Sequence, residues 1–204
     1  MISGTLEENG LSESILHELS FKSSIGISLK KNLHYFPKEQ LMQELFDMTD
    51  WYDCHPLLFD IPLDYRIKSQ ESIENKYSRY YPDSQVRKVF NDILGFRAFC
   101  DTYYDVIHLN DDKFKIVDMS SGKANDDGYR GVHLYYQIDN SYYPIEIQYN
   151  TLYDRQLNNW LHIYVYKQNY SNEIGKTLRF YYENGSIKNE NDFKEVLDDV
   201  LSRS

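Results

Sequence analysis

The sequence is poor in cysteine, in long apolar runs and in positive charge. Its two cysteines, Cys54 and Cys100, show no metal-ligand spacing, which indicates reduced thiols and excludes a disulfide framework or a zinc site. No segment approaches the roughly 18 apolar residues that a membrane span needs. The opening MISGTLEENG lacks the basic and apolar blocks of a signal peptide. We therefore expect a cytoplasmic protein without membrane contact.

Acidic residues outnumber basic ones, which gives a formal net charge of −10. Such a chain repels a nucleic-acid backbone overall, so coating of a long duplex is excluded, whereas a local basic site is not. Tyrosine is abundant, with 20 among 204 residues. Most tyrosines should lie in strands, and one or two could stack on a nucleobase.

The order of local patterns is helices, then strands, then helices. Residues 1–50 and 66–90 have helical spacing of apolar residues, the second with a break at Pro82-Asp83. Four runs predict strands, with the last two joined as a hairpin: ILGFRAFCD, FKIVDM, YRGVHLYYQID and YYPIEIQYN. DRQLNNWLHIYVYK and DFKEVLDDVLSR predict helices, and KTLRFYYENGSI predicts a hairpin or irregular strand with a turn at Asn184-Gly185. These patterns predict an α+β domain with a mixed β-sheet flanked by helices.

The segment RIKSQESIENK carries cations and a hydroxyl at helical spacing. Ser72 and Lys76 are four residues apart and Lys68 is one turn earlier, so a helix would present all three on one face. That face is either a cradle for a polyphosphate or an ordinary solvated surface.

Two carboxylates, Asp92 in NDILGFR and Glu146 in PIEIQ, are embedded in apolar β-type runs. A charge there is costly unless it is paired or binds a metal, and two carboxylates from separate strands suit a Mg²⁺–triphosphate site. A strand-start aspartate and a solvent-facing glutamate are the alternative. Between them, DDGYRGVHL holds Tyr129 and His133, which either stack and contact phosphate or pack over a turn and in the core.

Five motifs in this order resemble the RelA/SpoT synthetase domain over residues 66–167. They are RIKSQESIENK, NDILGFR, DDGYRGVH, PIEIQYNT and WLHIYVYK. The resemblance implies a nucleotidyltransferase-like, single-domain small alarmone synthetase. Its parts would be an N-terminal helical region (1–60), a pyrophosphokinase core (61–170) and a C-terminal hairpin and helix packed on the core (171–204).

The resemblance also implies a role for each matching residue. Asp92 and Glu146 would bind Mg²⁺ and act in catalysis, with Tyr129 stacking under the acceptor base. ATP, the pyrophosphate donor, would be bound by Arg66, Lys68, Ser72, Lys76, Arg97 and His133. Gln148 and Lys123 would complete the acceptor site with Tyr129.

The chain departs from alarmone-making members where these grip the 5′-phosphates of GDP or GTP. Asn125 and Val117 stand at the positions of two lysines, Asp127 replaces an asparagine and Asn150 replaces an arginine. Lys123 could substitute only in part. With fewer cations and an extra carboxylate, the site should hold a free nucleoside diphosphate poorly.

An acceptor without a terminal polyphosphate would lose less binding free energy in a site with few cations. The 3′-terminal adenosine of tRNA is such an acceptor. We therefore expect a toxin-type pyrophosphokinase that modifies the tRNA CCA end, blocks aminoacylation and translation, and is neutralised by a protein antitoxin. Candidate tRNA contacts, which could also be ordinary surface charges, are Lys22, Lys30, Lys31, Arg79, Arg87 and Lys88. The alternatives are a small alarmone synthetase making (p)ppGpp or (p)ppApp, and a non-catalytic nucleotide-binding module. By family analogy the protein would form a homo-oligomer.

Overall fold

A computed structural model describes residues 6–109 and 111–203. The α-helices of this part are α1 Glu13–Glu18, α2 Lys38–Asp53, α3 Pro56–Asp60, α4 Gln70–Tyr80, α5 Val86–Val89, α6 Tyr104–Ile107, α7 Leu152–Tyr164, α8 Asn172–Glu183 and α9 Glu190–Ser202. The strands are β1 Asp64–Ile67, β2 Leu94–Phe99, β3 Phe114–Asp118, β4 Val132–Tyr136 and β5 Ile145–Asn150. Short 3₁₀ helices span Leu33–Tyr35 and Tyr166–Gln168. Among the described residues, no helix is both long enough and apolar enough to span a membrane.

The five strands form one sheet in the order β1-β2-β5-β4-β3. Strands β1 and β2 are antiparallel, with Arg66 opposite Gly95. Strands β2 and β5 run parallel, because two contacts between them advance in the same direction along both strands. Gly95 lies beside Glu146, since a Cβ on Gly95 would be 3.3 Å from Glu146 Oε2. Five residues later, just past the end of β2, the Cys100 N–H donates to the Asn150 carbonyl at the end of β5. The predicted α+β fold with a mixed sheet is therefore confirmed.

Alternation along the strands gives the sheet an apolar and a polar face. Leu94 and Phe96 of β2 and Ile147 of β5 are fully buried, because their side chains point to the same side of the pleat. The alternate positions carry Arg97 and Glu146. Burial of the apolar set fixes the strand register, because a slip by one residue would turn every buried side chain outward.

The chain divides into two compact units. The first comprises Met1–Ala98, His108–Ile116 and His133–Gln148, and the second comprises Phe99–Ile107, Val117–Val132 and Tyr149–Ser204. In the second unit, helices α7, α8 and α9 share a core that includes Leu157, Trp160, Leu161, Leu178 and Phe193. The division into 1–60, 61–170 and 171–204 stays a prediction.

The helix expected to begin at Arg66 and to break at Pro82-Asp83 is wrong at its start. Arg66 and Ile67 belong to β1, where they pair with β2. Helix α4 begins only at Gln70, because Ser69 caps it by accepting a hydrogen bond from the Ser72 N–H. The break is confirmed, since the helix ends at Tyr80 and the separate short helix α5 begins at Val86.

The hairpin expected in KTLRFYYENGSI is also wrong, because this segment lies largely in helix α8. Its aromatic residues favour strands locally, but Ile174, Leu178 and Tyr182 recur every four residues and pack in the helical core. The predicted turn is present as the C-terminus of this helix, where Asn184 is the C-cap and Gly185 has φ of +81°.

Candidate active site

In the first unit, three cations converge on one carboxylate. Asp92 accepts from Lys68 Nζ at 2.6 Å and from Lys76 Nζ at 2.8 Å, and Arg66 Nη2 lies 3.7 Å from Asp92 Oδ2. We call these four residues the Asp92 cluster. The sequence assigned the three cations to ATP and Asp92 to Mg²⁺ as separate groups, and Asp92 precedes β2 rather than lying within it.

The local chain path explains how the Asp92 cluster forms. Lys68 follows β1, and its N–H donates to the Ile93 carbonyl at 2.8 Å, which holds it beside Asp92. Lys76 comes from α4 and also donates to the Val89 carbonyl at 3.1 Å. The prediction that Lys68 shares a helical face with Lys76 is therefore wrong, since α4 starts after Lys68. The two lysines meet at Asp92 from different elements.

The charge of the Asp92 cluster is unbalanced. Lys68 is only 8% exposed, and burial lowers the pKa of its ammonium group against the opposing effect of Asp92. A single carboxylate faces three cationic side chains, so the group retains excess positive charge. Such a cluster suits a polyphosphate, which offers each cation a charge-assisted hydrogen bond.

Ser72 and Arg97 are two further residues of this unit that the sequence predicted to bind ATP. Ser72 lies in the first turn of α4, exposed, with its hydroxyl bonded to Ser69. Arg97 lies on β2, exposed, opposite Asp64 in the β1–β2 register. Their roles toward ATP stay predictions.

Glu146 is buried in β5 and is surrounded by hydrogen-bonding side chains. Oε1 lies 3.0 Å from His133 Nδ1 and accepts the Tyr135 hydroxyl at 3.0 Å, while Oε2 accepts the Gln148 amide at 2.7 Å. Burial opposes ionisation, but the hydrogen bond and charge interaction with His133, with hydrogen bonds from Gln148 and Tyr135, lower the pKa of this carboxyl to about 2. Glu146 is therefore an oriented carboxylate at neutral pH.

Tyr135 was missed by the sequence analysis. The signal that could have found it is strand alternation, since Tyr135 stands two residues after His133 and its side chain leaves β4 on the same face. Its membership in one of many tyrosine pairs concealed that position.

Arg66, Gly95 and Glu146 lie in a row across β1, β2 and β5. Neighbouring strands are about 4.8 Å apart, so Arg66 and Glu146 are separated by about 10 Å along this row. Because Gly95 has no side chain, the Glu146 carboxylate can lean over it, with Oε2 3.3 Å from where a Cβ of Gly95 would stand. This space is on the polar face of the sheet.

Asp92 and Glu146 supply the hard oxygen donors that Mg²⁺ prefers. Magnesium commonly takes one or two carboxylates and completes its octahedron with water and substrate phosphates. Among the described residues, no group of three or more histidine, cysteine or acidic side chains forms a metal cage. The two carboxylates suffice for a metal that arrives with a triphosphate, so these residues fit Mg²⁺ in chemistry.

In the second unit, two carboxylates hold the loop around Tyr129. Asp126 accepts from the Gly128 N–H at 3.0 Å and from Arg130 at 2.8 Å. Asp127 accepts from the Tyr129 N–H at 3.1 Å and from Lys123 at 2.6 Å. The hydrogen bond from Arg130 lowers the pKa of the Asp126 carboxyl. We call residues 123–130 the Tyr129 loop.

Lys123 lies beside the predicted stacking residue, with Nζ 5.0 Å from the centre of the Tyr129 ring. Because its ammonium is paired with Asp127, its charge is largely balanced within the Tyr129 loop. Asn150, the residue that replaces an arginine, is buried and donates its amide to the Arg130 carbonyl at 2.8 Å.

A buried arginine that the sequence analysis missed anchors the Tyr129 loop. Arg179 of α8 is 1% exposed and donates to the Gly128 carbonyl at 2.8 Å, to Asp154 at 2.7 Å and to Asn158 at 3.2 Å. Asn158 in turn donates to the Arg130 carbonyl at 2.7 Å. Because the segment of Arg179 was predicted as a hairpin, no pattern pointed to this role.

Backbone packing brings the same helix against the loop. A Cβ on Gly175 would lie 2.0 Å from the Asp127 carbonyl oxygen, and one on Gly128, where φ is +87°, would lie 2.2 Å from the Gly175 carbonyl oxygen. Only glycine fits at both positions.

The predicted tRNA-contacting residues all lie in the first unit. Lys22 forms a β-bridge with Tyr142, and the Arg87 N–H donates to the Leu29 carbonyl at 2.9 Å. The Val86 N–H donates to the Lys31 carbonyl, so segments 29–31 and 86–87 are adjacent. Five of the six side chains are exposed, and Arg87 is half-buried: the exposed ones are Lys22, Lys30, Lys31, Arg79 and Lys88. Their contact with tRNA stays a prediction.

No protein-family model matches the sequence, and no curated protein matches it. Several solved structures are similar in fold. Small alarmone synthetase 1 from Bacillus subtilis is 21% identical with a TM-score of 0.42, over 80% of this chain and 92% of that one. Small alarmone synthetase 2 from Bacillus subtilis is 22% identical with a TM-score of 0.42, over 83% and 92%. A GTP pyrophosphokinase family protein from Streptococcus pneumoniae is 24% identical with a TM-score of 0.39, over 70% and 77%.

Proposed function

We propose that this chain is an ATP-dependent pyrophosphokinase and that its acceptor is the 3′-terminal adenosine of tRNA. The observation that carries the proposal is the Asp92 cluster, in which three cations and a carboxylate stand on the same unit as the oriented carboxylate Glu146. Few binding tasks other than holding a polyphosphate near a metal require that combination.

The donor would be held by the Asp92 cluster. Lys68 and Lys76 bind the phosphates, with Ser72 adding a hydroxyl at the start of α4, and Arg66 contacts the adenine. Arg97 supports the phosphates, and His133 completes the pocket beside Glu146. Asp92 and Glu146 would hold Mg²⁺, which when bound neutralises charge on the phosphates.

The reaction is an in-line displacement at the β-phosphorus of ATP. The acceptor O3′ forms a bond to the β-phosphorus, the bond between this phosphorus and the α–β bridging oxygen breaks, and AMP leaves with that oxygen. The O3′ proton is lost to solvent water. Positioning and charge stabilisation supply most of the catalysis in such transfers, because the protein has little covalent chemistry to perform.

Glu146 orients the attacking hydroxyl. Its carboxylate is fixed by His133, Tyr135 and Gln148, so it does not need to reorganise when the acceptor enters. Of these three, Gln148 also belongs to the proposed acceptor site.

The charge of the Tyr129 loop supports tRNA as the acceptor. Lys123 and Arg130 are each paired with an aspartate, so the loop offers little net positive charge to a 5′-polyphosphate. The terminal nucleoside of tRNA carries no such group, and Tyr129 would stack on its base. Modification of this end would block aminoacylation and translation, and a protein antitoxin would protect the host cell.

The second candidate function is synthesis of (p)ppGpp or (p)ppApp from ATP and a free nucleotide. Lys123 favours it, since an ammonium group 5.0 Å from the Tyr129 ring centre could exchange Asp127 for a phosphate. A non-catalytic nucleotide-binding module is the third, and it would need neither Glu146 nor Tyr129.

A transfer assay with γ-³²P-ATP tests all three functions. Purified protein is offered deacylated tRNA, GDP, GTP and AMP in parallel, with Glu146→Gln as the matched inactive variant. We expect much more label on tRNA than on GDP, GTP or AMP, and none with the variant. Preferential label on GDP, GTP or AMP would favour the second function. Absence of label on every acceptor would leave only the non-catalytic module.

A further inference from the structure

A cavity of about 430 Å³ in the first unit is lined by cations that the proposed mechanism does not use. We call it the basic cavity. Its charged lining consists of Arg87, Lys88, Lys113 and Lys115 with one carboxylate, Asp112. Phe114 and Pro144 add apolar surface. The volume is within the range of cavities that hold small ligands.

Two residues that line the basic cavity are neighbours of the predicted catalytic carboxylates, which do not line it themselves. One lining residue, Asn91, directly precedes Asp92 in the chain. Another, Tyr135, donates its hydroxyl to Glu146 at 3.0 Å. A ligand in this cavity would therefore lie next to the groups on which the proposed transfer depends.

Lys88 connects the basic cavity with the donor side of the site. It also lines a second cavity of about 450 Å³, to which Lys76 of the Asp92 cluster contributes. The two cavities therefore share Lys88. Lys76, a proposed donor-binding residue, lines the second cavity, and Tyr135, which bonds Glu146, lines the basic cavity.

The positive lining stands out on this chain. The protein carries a formal net charge of −10, yet cations outnumber carboxylates around the basic cavity. One of them, Lys113, forms an ion pair with Glu13. Lys88 and Lys115 are exposed and have no ion pair within 4.0 Å among the described residues, so their charges are available to a ligand.

We propose that the basic cavity binds a phosphate group of the acceptor. The inference rests on the proposed function, and it assigns the phosphate to cations outside the Tyr129 loop. The acceptor could present a phosphodiester that precedes the terminal nucleoside of an RNA, or the 5′-phosphates of a free nucleotide. The chemistry that Arg87, Lys88 and Lys115 recognise is the same.

The test compares the double variant Lys88→Gln/Lys115→Gln with the wild-type chain. Both side chains are exposed, so their replacement leaves the core intact. The control is Lys194→Gln, which removes an exposed lysine of α9 that lines neither cavity. Binding of an RNA minihelix that ends in CCA and is labelled at its 5′ end is followed by fluorescence anisotropy without ATP. The KM for tRNA and for GDP is measured in the transfer assay.

For a phosphodiester, we expect the dissociation constant of the RNA and the KM for tRNA to rise about tenfold for each lost contact. The logarithm of the association constant falls with the logarithm of the salt concentration, and this dependence should become weaker. The magnitude of its slope should decrease by about 0.7 for each phosphate contact that is lost. The control should match the wild type. A rise of KM for GDP, without a change in RNA binding, would assign the cavity to the 5′-phosphates of a free nucleotide.

Wild-type values of RNA affinity and of both KM values in the double variant would overturn the inference while leaving the proposed pyrophosphokinase intact. The other case is that the double variant binds RNA more weakly than the wild type, while the wild type transfers label to no acceptor. In that case the phosphate site would stand and the proposed enzymatic function would fail.

Discussion

Carboxylates and cations meet at two places in this protein, in opposite proportions. In the Asp92 cluster, Arg66, Lys68 and Lys76 share one carboxylate. In the Tyr129 loop, Asp126 and Asp127 each have one cation of their own, and each also accepts a backbone N–H. The first arrangement keeps excess positive charge, and the second is balanced.

The difference separates a binding role from a structural one. A cation that shares its carboxylate with two others can turn to an incoming anion without leaving a buried charge unpaired. The loop pairs instead fix backbone conformation, because their carboxylates bond both a side chain and the chain itself. The same residue types therefore serve ligand binding in one region and loop geometry in the other.

A pair of matched substitutions tests most directly whether the Asp92 cluster and the Tyr129 loop differ in role. Asp92→Asn should lower pyrophosphate transfer by about a thousandfold, since it removes a carboxylate that orders the phosphate-binding lysines and would hold the metal. Asp126→Asn removes the same charge from the Tyr129 loop and should change the rate only a few-fold. Initial rates at saturating ATP measure both. Equal losses would show that the two clusters do not differ in role.

Arg179 tests whether the loop depends on buried anchoring. Arg179→Met leaves Asp154 buried without its cation and should lower the free energy of unfolding by about 3–5 kcal/mol. Urea denaturation followed by circular dichroism measures the loss. Arg179→Lys keeps the charge but not the three-way hydrogen bonding, so its cost should be smaller. A wild-type midpoint for the methionine variant would contradict the role given to this network.

Substitution of Tyr129 tests whether the Tyr129 loop positions the acceptor base. Tyr129→Ala should raise the KM for the acceptor about ten- to a hundredfold, because stacking on a base contributes about 1–3 kcal/mol. Tyr129→Phe keeps the ring and should remain close to the wild type. The KM for ATP serves as the internal reference, and a change confined to that constant would place Tyr129 with the donor instead.

We expect a smaller effect, on the use of GDP, when lysines are introduced at positions 117 and 125. Val117→Lys with Asn125→Lys should raise kcat/KM for GDP about tenfold, since each new lysine can form a charge-assisted contact with a 5′-phosphate. Val117→Gln with Asn125→Gln is the neutral control. No gain over that control would weaken the argument that the missing lysines select the acceptor.

Much of this architecture was predictable from local patterns. Alternation in β2, β4 and β5 predicted the strands and placed Glu146 and His133 at polar positions. Family motifs assigned Lys68 and Lys76 to ATP and Asp92 to Mg²⁺, and the structure brings the three side chains together. Two segments were predicted wrongly. Arg66 and Ile67 lie in β1 rather than in a helix. The segment of α8 was predicted as a strand from its aromatic residues, although its spacing also fitted a helix.

Local patterns along the chain were enough to predict the α+β fold class, because strand and helix periodicity are properties of neighbouring residues. Tertiary structure alone decided that Lys68 precedes α4 and that Tyr135 bonds Glu146. It also placed Arg179 under Gly128, 51 positions away in the chain. The physical reason is that burial of an apolar stripe selects helix over strand, and a buried guanidinium bonds whichever distant carbonyl the packing presents.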